Sequence, residues 1–336
     1  MTSRELVYAT LEFSSNGERV PRHMWTLPWA TSRYPETMAE MAERFPDDIV
    51  GAPNILKEPL KEIGDMYAVG QYVDPFGVTF ENLQYGVIGE VKDPLIKDDD
   101  WADADKVRFP VEYLTLDTEA VNAFCRSTDK FVNMGVAVRP FERLQFLRGT
   151  ENLFMDLADP SDEFLAFVEK LHKFYCEIVT LWARDTEIDA VTFMDDWGTQ
   201  KSLLINPKTW VEIFKPMYKD YIDIAHKYGK KAFMHSDGYT LPIYPHLIEL
   251  GLDAFNSQLF CIGIENLAQY AGKITFWGEL DRQWILPTGT KEEVDAAVDQ
   301  AYNTLWRNGG CIAQCEFGPG AKPENVIRCF ERWNEK

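Results

Sequence analysis

The sequence predicts a (β/α)8 barrel of the TIM type, on three observations. Short apolar runs alternate with amphipathic helical patterns along most of the 336 residues, as expected for parallel strands buried on both faces. Several of these runs end abruptly in polar residues, which is typical of the strand ends that build a barrel's active site. No Gly-x-Gly-x-x-Gly motif follows a first strand, which disfavours the alternative of a doubly wound, nucleotide-binding sheet.

The first part of the chain supplies two predicted strands and an insertion. Helical patterns cover residues 4–16 and 37–44, and strands are predicted at 20–27 and 48–50. The segment from about 66 to 110 is rich in turns. We interpret it as an insertion of short strands and loops that caps the barrel.

The rest of the chain alternates helix and strand. A helix at 118–130 precedes a third strand at 132–138, a long helix with an Asp or Ser cap opens within residues 159–163, and another helix covers 207–228. Further strands are predicted near residues 190, 232, 254, 275 and 312. These elements add up to eight strands in a single domain that spans residues 1–336.

Composition narrows the classes of protein to consider. A formal net charge of −20 argues against general binding to nucleic acid or to anionic membranes, which need a basic surface. No apolar run is long enough to span a membrane, and the first residues lack the apolar core of a signal peptide. Six cysteines are too few for a disulfide scaffold, so we expect a protein of the reducing cytoplasm.

Polar residues at the predicted strand ends favour an enzyme. Asp195 and Asp196 follow one apolar run, His235 follows the next, and Glu279 follows a later one. Because barrel strands all end at one rim, these four residues are candidate catalytic groups. Aromatic and amide side chains near strand ends are candidates for substrate binding, with core packing as the alternative for the tryptophans. They are Trp25, Trp29, Trp197, Asn256 and Gln258.

Some of the same residue types can bind a metal ion. His235 and Asp237 are two residues apart, so they point the same way in an extended chain. An imidazole and a carboxylate can share zinc, to which Cys315 could add a thiolate and Glu279 an oxygen.

Other interpretations of these residues stay open. His235 and Asp237 could form a hydrogen-bonded pair that orients a substrate, or Asp237 could cap the turn at Gly238. Glu279 could form a buried salt bridge with Arg282 or a lysine, and Cys315 could be a small buried core residue.

Several short motifs occur in a defined order along the chain. They are Asp74-Pro75-Phe76-Gly77, Gly89 to Pro94, Phe141 to Gly149, Asp195-Asp196-Trp197-Gly198, His235-Ser236-Asp237-Gly238, and Gly309-Gly310 with Pro323 to Val326. In this order and spacing they resemble the uroporphyrinogen decarboxylase superfamily, which includes the corrinoid-dependent methyltransferases. The resemblance covers most of the chain and implies a (β/α)8 barrel.

Two segments indicate which branch of that superfamily the chain resembles more. The decarboxylases carry an arginine-rich segment after the first strand, whereas residues 24–30 here contain no arginine, so a substrate with many carboxylates is not expected. The methyltransferases have a His-x-Cys-Gly motif and a distant cysteine that hold zinc. Asp237 replaces the first cysteine here, and the resemblance implies zinc held by His235, Asp237 and Cys315.

The replacement changes the chemistry that the resemblance implies. Oxygen ligands leave zinc a stronger Lewis acid than thiolates do, which suits activation of an ether or amine leaving atom. The implied reaction moves a methyl group from a methoxylated, for example aromatic, or other methylated small molecule to the cobalt of a separate corrinoid protein. A metal-free decarboxylase or lyase acting on a small acid and a non-catalytic binding protein stay open as alternatives. So does a homodimer, since members of the superfamily often form dimers.

Overall fold

A curled parallel sheet forms the centre of the computed structural model, which describes all 336 residues. The strands are β1 (Arg22–Thr26), β2 (Ile49–Gly51), β3 (Gly70–Val73), β4 (Thr79–Asn82), β5 (Glu90–Val91), β6 (Phe131–Asn133), β7 (Ala190–Met194), β8 (Lys231–Ser236), β9 (Ala254–Ser257), β10 (Thr275–Phe276) and β11 (Ala313–Phe317). Strands β2, β6, β7, β8, β9 and β10 form one parallel sheet, in that order. Strands β1 and β11 pair in parallel with each other.

Backbone hydrogen bonds connect the two parallel sheets on both sides. The Asp48 amide donates to the Arg22 carbonyl at 2.8 Å, between β1 and β2. At the other edge the Ile312 amide donates to the Phe276 carbonyl at 2.9 Å. Neighbouring strands of the six-stranded sheet follow the order of the chain, so this sheet has no topological switch point. The doubly wound alternative is therefore excluded.

Helices surround the parallel strands. They are α1 (Ser3–Leu11), α2 (Pro28–Arg33), α3 (Pro35–Arg44), α4 (Thr118–Ser127), α5 (Pro140–Arg148), α6 (Thr150–Ala158), α7 (Asp162–Asp185), α8 (Pro207–Thr209), α9 (Lys215–Lys227), α10 (Tyr244–Leu250), α11 (Leu259–Ile262), α12 (Ile264–Leu267), α13 (Ile285–Thr288), α14 (Lys291–Leu305) and α15 (Pro323–Asn334). Short 3₁₀ helices cover Ala102–Lys106, Val111–Thr115, Leu241–Ile243 and Ala268–Tyr270. None of the helices combines the length and the apolar character that crossing a membrane requires.

Several predicted elements differ from the structure at their ends, and one differs in its interior. The first helix ends at Leu11 instead of residue 16, because the chain turns through Phe13 and Asn16, which have positive φ. The third strand ends at Asn133 instead of residue 138. The helix predicted over 207–228 contains a π-helical turn at Trp210–Phe214, just before a proline that lacks the amide an α-helix needs.

A buried apolar layer closes the amino-terminal end of the parallel strands. Strands β2, β6, β7, β8 and β9 each contribute one residue to this layer, and α1 adds two more. The strand residues are Ile49, Phe131, Ala190, Phe233 and Ala254, and those of α1 are Val7 and Leu11. Because this end is filled, a binding site between the strands must lie at their carboxyl ends.

The segment predicted as an insertion contains a small sheet of its own. Strands β3, β4 and β5 form an antiparallel sheet within residues 66–110. An ion pair between Asp74 and Arg143 of α5 connects this segment to the carboxyl-end rim. The guanidinium of Arg143 also lies over the ring of Phe76, 4.0 Å from its centre. The insertion is thus anchored beside the strand ends by one buried arginine.

Candidate active site

His235 lies at the centre of a polar cluster at the end of β8. It is buried, and its Nε2 lies 3.4 Å from Asp196 Oδ1 and 3.7 Å from Asp237 Oδ1. Its Nδ1 lies 2.6 Å from Asn256 Oδ1, at the neighbouring strand β9. Since an amide oxygen only accepts, Nδ1 carries a proton in this bond and Nε2 faces the two carboxylates. Asn256 thereby fixes the orientation of the imidazole.

Strand pairing brings these residues together. Strands β7 and β8 pair in parallel with Met194 opposite His235. Asp196 therefore follows one strand and Asp237 the other, and the Asp237 amide donates to Asp196 Oδ1 at 3.0 Å. The two carboxylates flank the imidazole from adjacent loops, as the common rim of parallel strands predicts.

Two glycines allow these loops to touch. The Gly198 amide donates to the Asp237 carbonyl at 3.0 Å, and Gly238 has a φ of 78°, a region that favours glycine. A Cβ on Gly198 would lie 2.3 Å from the backbone nitrogen of Tyr239. Close backbone contact therefore sets the separation between Asp196 and Asp237.

Gly198→Ala is expected to force the two loops apart. The new methyl group overlaps backbone atoms, so we expect a loss of about 2 kcal/mol or more in the free energy of unfolding, measured by chemical denaturation. Gly51→Ala is the matched control, because no atom lies within 4 Å of a Cβ at that position. Equal losses in both variants would contradict the role given to the loop contact.

The electrostatics favour a cation between Asp196 and Asp237. Burial lowers the pKa of His235, but its contact with Asp196 and the charges of both aspartates raise this pKa to about 10. Burial raises the pKa of Asp196, but His235 lowers it to about 2. In the metal-free protein the imidazole is therefore protonated at neutral pH, and a metal ion would replace the Nε2 proton.

The spacing of the three side chains fits a shared metal ion. Two ligands of one tetrahedral zinc stand about 3.4 to 3.6 Å apart at ordinary bond lengths. The distances of 3.4 and 3.7 Å from His235 Nε2 to Asp196 and Asp237 match this separation. Moreover, Asp237 Oδ1 is buried without a hydrogen-bond partner. The three residues therefore form a candidate metal centre.

Arg282 connects this cluster to two further acids. Its guanidinium forms ion pairs with Asp237 and Glu316, and its Nη1 lies 3.4 Å from Glu279 Oε1. Burial raises the pKa of Glu279 to about 8, although the charge of Arg282 lowers it. Both carboxyl oxygens of Glu279 are buried without a hydrogen-bond partner. A protonated Glu279 could therefore donate to a ligand.

Two cavities adjoin the polar residues of the rim. The first has a volume of about 240 Å³ and is lined by Gln258, Glu279 and Arg282 among others. Gln258 Oε1 also accepts a hydrogen bond from the Gly238 amide at 3.2 Å, which holds the loop after β8. The second cavity, of about 300 Å³, lies between the insertion, α5 and α7, and Arg139 contributes to its wall. Only the first contains a predicted catalytic residue.

Asp195 and Trp197 lie beneath the cluster and do not face it. Asp195 accepts hydrogen bonds from the Glu142 amide at 2.7 Å and from the Tyr218 hydroxyl at 2.6 Å. Burial raises its pKa well above the ordinary value. Trp197 is fully buried and donates to the same hydroxyl at 2.8 Å. Both residues support the loop that carries Asp196.

Strand alternation turns Cys315 away from the candidate metal centre. Its thiol contacts Cys329 of α15, whereas the next residue, Glu316, reaches Arg282 on the inner side. The structure therefore does not bring Cys315 to His235. Glu316 is not among the residues predicted for the site, yet it pairs with Arg282 there. The sequence signal that could identify it is its position one residue after Cys315 on β11.

The two tryptophans near the first strand have different surroundings. The ring centre of Trp25 lies 5.0 Å from that of His235, so this indole forms part of the cluster's apolar wall. Trp29 packs against Tyr34, with ring centres 5.9 Å apart, and lines neither cavity. The alternative of core packing therefore describes Trp29 better than substrate binding does.

Comparisons with known proteins bear on the fold. No protein-family model and no curated protein matches the chain. Among solved structures, a methyltransferase from Methanosarcina mazei superposes over 100% of this chain and 99% of that chain, with a TM-score of 0.68 and 13% sequence identity. A glycosylated endo-beta-1,4-xylanase from Gloeophyllum trabeum covers 95% of this chain and 98% of that chain, at a TM-score of 0.47 and 10% identity, which is too low to carry an argument. The chain therefore has the α/β fold of that methyltransferase.

Proposed function

We propose that the protein is a methyltransferase that moves a methyl group from a methylated small molecule to the cobalt of a partner corrinoid protein. The observation that carries the proposal is the position of His235 Nε2 between Asp196 and Asp237, at the rim of a chain with a methyltransferase fold. The proposal includes closure of the two parallel sheets into one (β/α)8 barrel. The hydrogen bonds that join them on both sides support this closure.

His235, Asp196 and Asp237 would hold zinc in this proposal. Bound there, zinc would supply Lewis acidity toward the leaving oxygen or nitrogen of the methyl donor. The donor set is one imidazole and two carboxylates, which is harder than a thiolate set and suits this task. Asn256 keeps the proton on Nδ1 and thereby leaves Nε2 free to bind the metal.

Glu279 would supply the proton that the leaving atom needs. Burial keeps its carboxyl group protonated at neutral pH, and the group lines the cavity of about 240 Å³. Glu279 would give its proton to the donor oxygen as the methyl group passes to the partner's corrinoid, so that the donor would leave as a neutral alcohol or phenol. Arg282, 3.4 Å away, would stabilise the resulting carboxylate.

Methyl transfer to a corrinoid protein tests the proposal directly. The purified chain, loaded with zinc, is mixed with a chemically reduced corrinoid protein and a methoxylated aromatic compound, and the cobalt absorption spectrum is recorded. We expect formation of methylated cobalt together with the free phenol, and loss of both after treatment with a chelator. Release of carbon dioxide from a small acid, unaffected by the chelator, would instead favour the metal-free decarboxylase.

A further inference from the structure

A second group of metal-binding side chains lies on two outer helices, away from the strand ends. His172 and Cys176 are four residues apart on α7 and therefore share one face of the helix, and Asp220 lies on α9. His172 Nε2 is 2.9 Å from Asp220 Oδ2 and 3.6 Å from Cys176 Sγ. All three ligand atoms lie within 4.8 Å of one another. The reaction proposed above uses none of these residues.

The distances between these atoms fit one metal ion. A nitrogen and a sulfur bound to one tetrahedral zinc stand about 3.6 Å apart, which is the separation of His172 Nε2 and Cys176 Sγ. The Asp220 oxygen is closer, at hydrogen-bond distance. Its side chain is 55% exposed, so it can withdraw by the few tenths of an ångström that a metal ion requires. Binding therefore needs no movement of either helix.

The orientation of the imidazole also suits a ligand. His172 Nδ1 lies 3.2 Å from the hydroxyl of Tyr221, which is fully buried. A proton on Nδ1 can be donated to this hydroxyl, which leaves the Nε2 lone pair free to face Asp220, while Cys176 Sγ lies beside the ring, 3.6 Å from Nε2 and 3.8 Å from Nδ1. Burial raises the pKa of Cys176 to about 12 in the metal-free protein. A metal ion would therefore release the thiol proton to solvent as it binds.

We propose that His172, Cys176 and Asp220 bind a zinc ion that cross-links α7 and α9. The thiolate and the imidazole select zinc over magnesium and calcium, which prefer oxygen ligands. The three side chains line a surface groove of about 540 Å³, so water has access to the fourth position on the metal. This ion would be distinct from a metal ion at His235.

The cross-link has a mechanical consequence for the site. Helix α9 carries Tyr218, whose hydroxyl donates to Asp195 beneath the cluster. The adjacent π-helical turn, Trp210–Phe214, leaves the start of α9 without a regular α-helical connection to α8. A zinc ion at His172 would fix this helix to α7 and reinforce the support under the site.

Titration of the metal-free protein with Co²⁺ tests the proposal. Thiolate bound to Co²⁺ gives an intense near-ultraviolet charge-transfer absorption, and the cluster around His235 contains no cysteine. We expect this absorption to saturate near one ion per chain, to disappear on addition of Zn²⁺, and to be absent in Cys176→Ser and His172→Ala. The matched control Cys261→Ser, at another half-buried cysteine, should keep it, and so should His235→Ala.

Thermal unfolding supplies a second measurement. Saturating Zn²⁺ should raise the melting temperature of His235→Ala by about 5 °C, and should not do so when Cys176→Ser is added. Circular dichroism checks that each variant remains folded. Absence of the absorption in the parent protein, or its persistence in folded Cys176→Ser, would overturn the proposal. Either result would leave the methyltransferase proposal untouched, because the two clusters share no residue.

Discussion

His235→Ala is expected to lower methyl transfer about a thousandfold or more and to remove the zinc ion at the rim, while the fold persists. The physical reason is that Nε2 is the atom between Asp196 and Asp237, and two carboxylates alone bind zinc weakly. Single-turnover methylation of a corrinoid protein measures the rate. Elemental analysis measures the metal content, and circular dichroism checks the fold.

His226→Ala is the matched control for this variant. His226 is also an imidazole paired with an aspartate, but it lies in the exposed last turn of α9 and belongs to neither proposed metal site. We expect this control to keep methyl transfer within about threefold of the parent rate, which is ordinary variation for a change away from the site. Full retention of the rim zinc ion in His235→Ala, or a comparable loss of rate in both variants, would remove His235 from the metal centre.

Glu279→Gln is expected to lower methyl transfer about a hundred- to ten-thousandfold, because glutamine cannot donate the proton. In the parent protein Glu279 is protonated below a pH of about 8 and ionised above it. The rate should therefore fall as the pH rises through about 8, and this part of the pH profile should be absent in the variant. Rate measurements between pH 6 and about 10 test both points. An unchanged profile would assign the proton donor to another group.

The same substitution should stabilise the folded chain at high pH. The pKa of Glu279 is raised in the folded state, so its favourable contribution is complete below the pKa of the unfolded chain and is lost as the pH rises through about 8. At pH about 9 we expect Glu279→Gln to raise the free energy of unfolding by about 2 to 4 kcal/mol. Glu316→Gln is the control, since it removes another acid that pairs with Arg282. Equal effects would show that net charge near Arg282, and not burial of Glu279, is responsible.

Periodicity in the sequence predicts most strands but not where each one stops. Strands β7, β8 and β9 each contain a short apolar run, and the structure has them at the predicted places. Val136 and Val138 continue the apolar run and predict a longer third strand. In the structure β6 ends at Asn133, the backbone at Gly135 lies against the Ala52 carbonyl, where a Cβ would come within 2.1 Å, and the chain returns to pair with β7 at Val138, opposite Phe193. Such a contact has no local signal.

Which of two adjacent residues at a strand end faces the site is harder to predict than the strand end itself. Asp195 and Asp196 are equivalent in a local pattern, yet one is buried under the loop and the other faces His235. Cys315 and Glu316 differ in the same way on β11. A shift of one residue reverses the face of a strand, and short segments do not fix that register. The sequence therefore identifies the rim but not which member of each pair faces the site.

Arg282 shows a different limit of prediction from the sequence. The sequence indicates Arg282 only as an alternative partner of Glu279, whereas the structure places it among Asp237, Glu279 and Glu316. Glu316 lies in β11, whereas Asp237 and Glu279 follow the ends of β8 and β10, so no spacing along the chain predicts that the three acids meet. The position of a single cation among several acids is evident only once the parallel strands are assembled in space.

The pairing of β1 with β11 has a consequence for biosynthesis. Thr26 and Phe317, which are joined by a hydrogen bond, are 291 residues apart. A ribosome adds roughly 5 to 20 residues per second, so the edge of β1 waits about 15 to 60 s for its partner strand. During that time the nascent chain exposes an unpaired strand edge, which invites association with other chains. Because Glu316 arrives with β11, the candidate site cannot assemble before that strand has been synthesised.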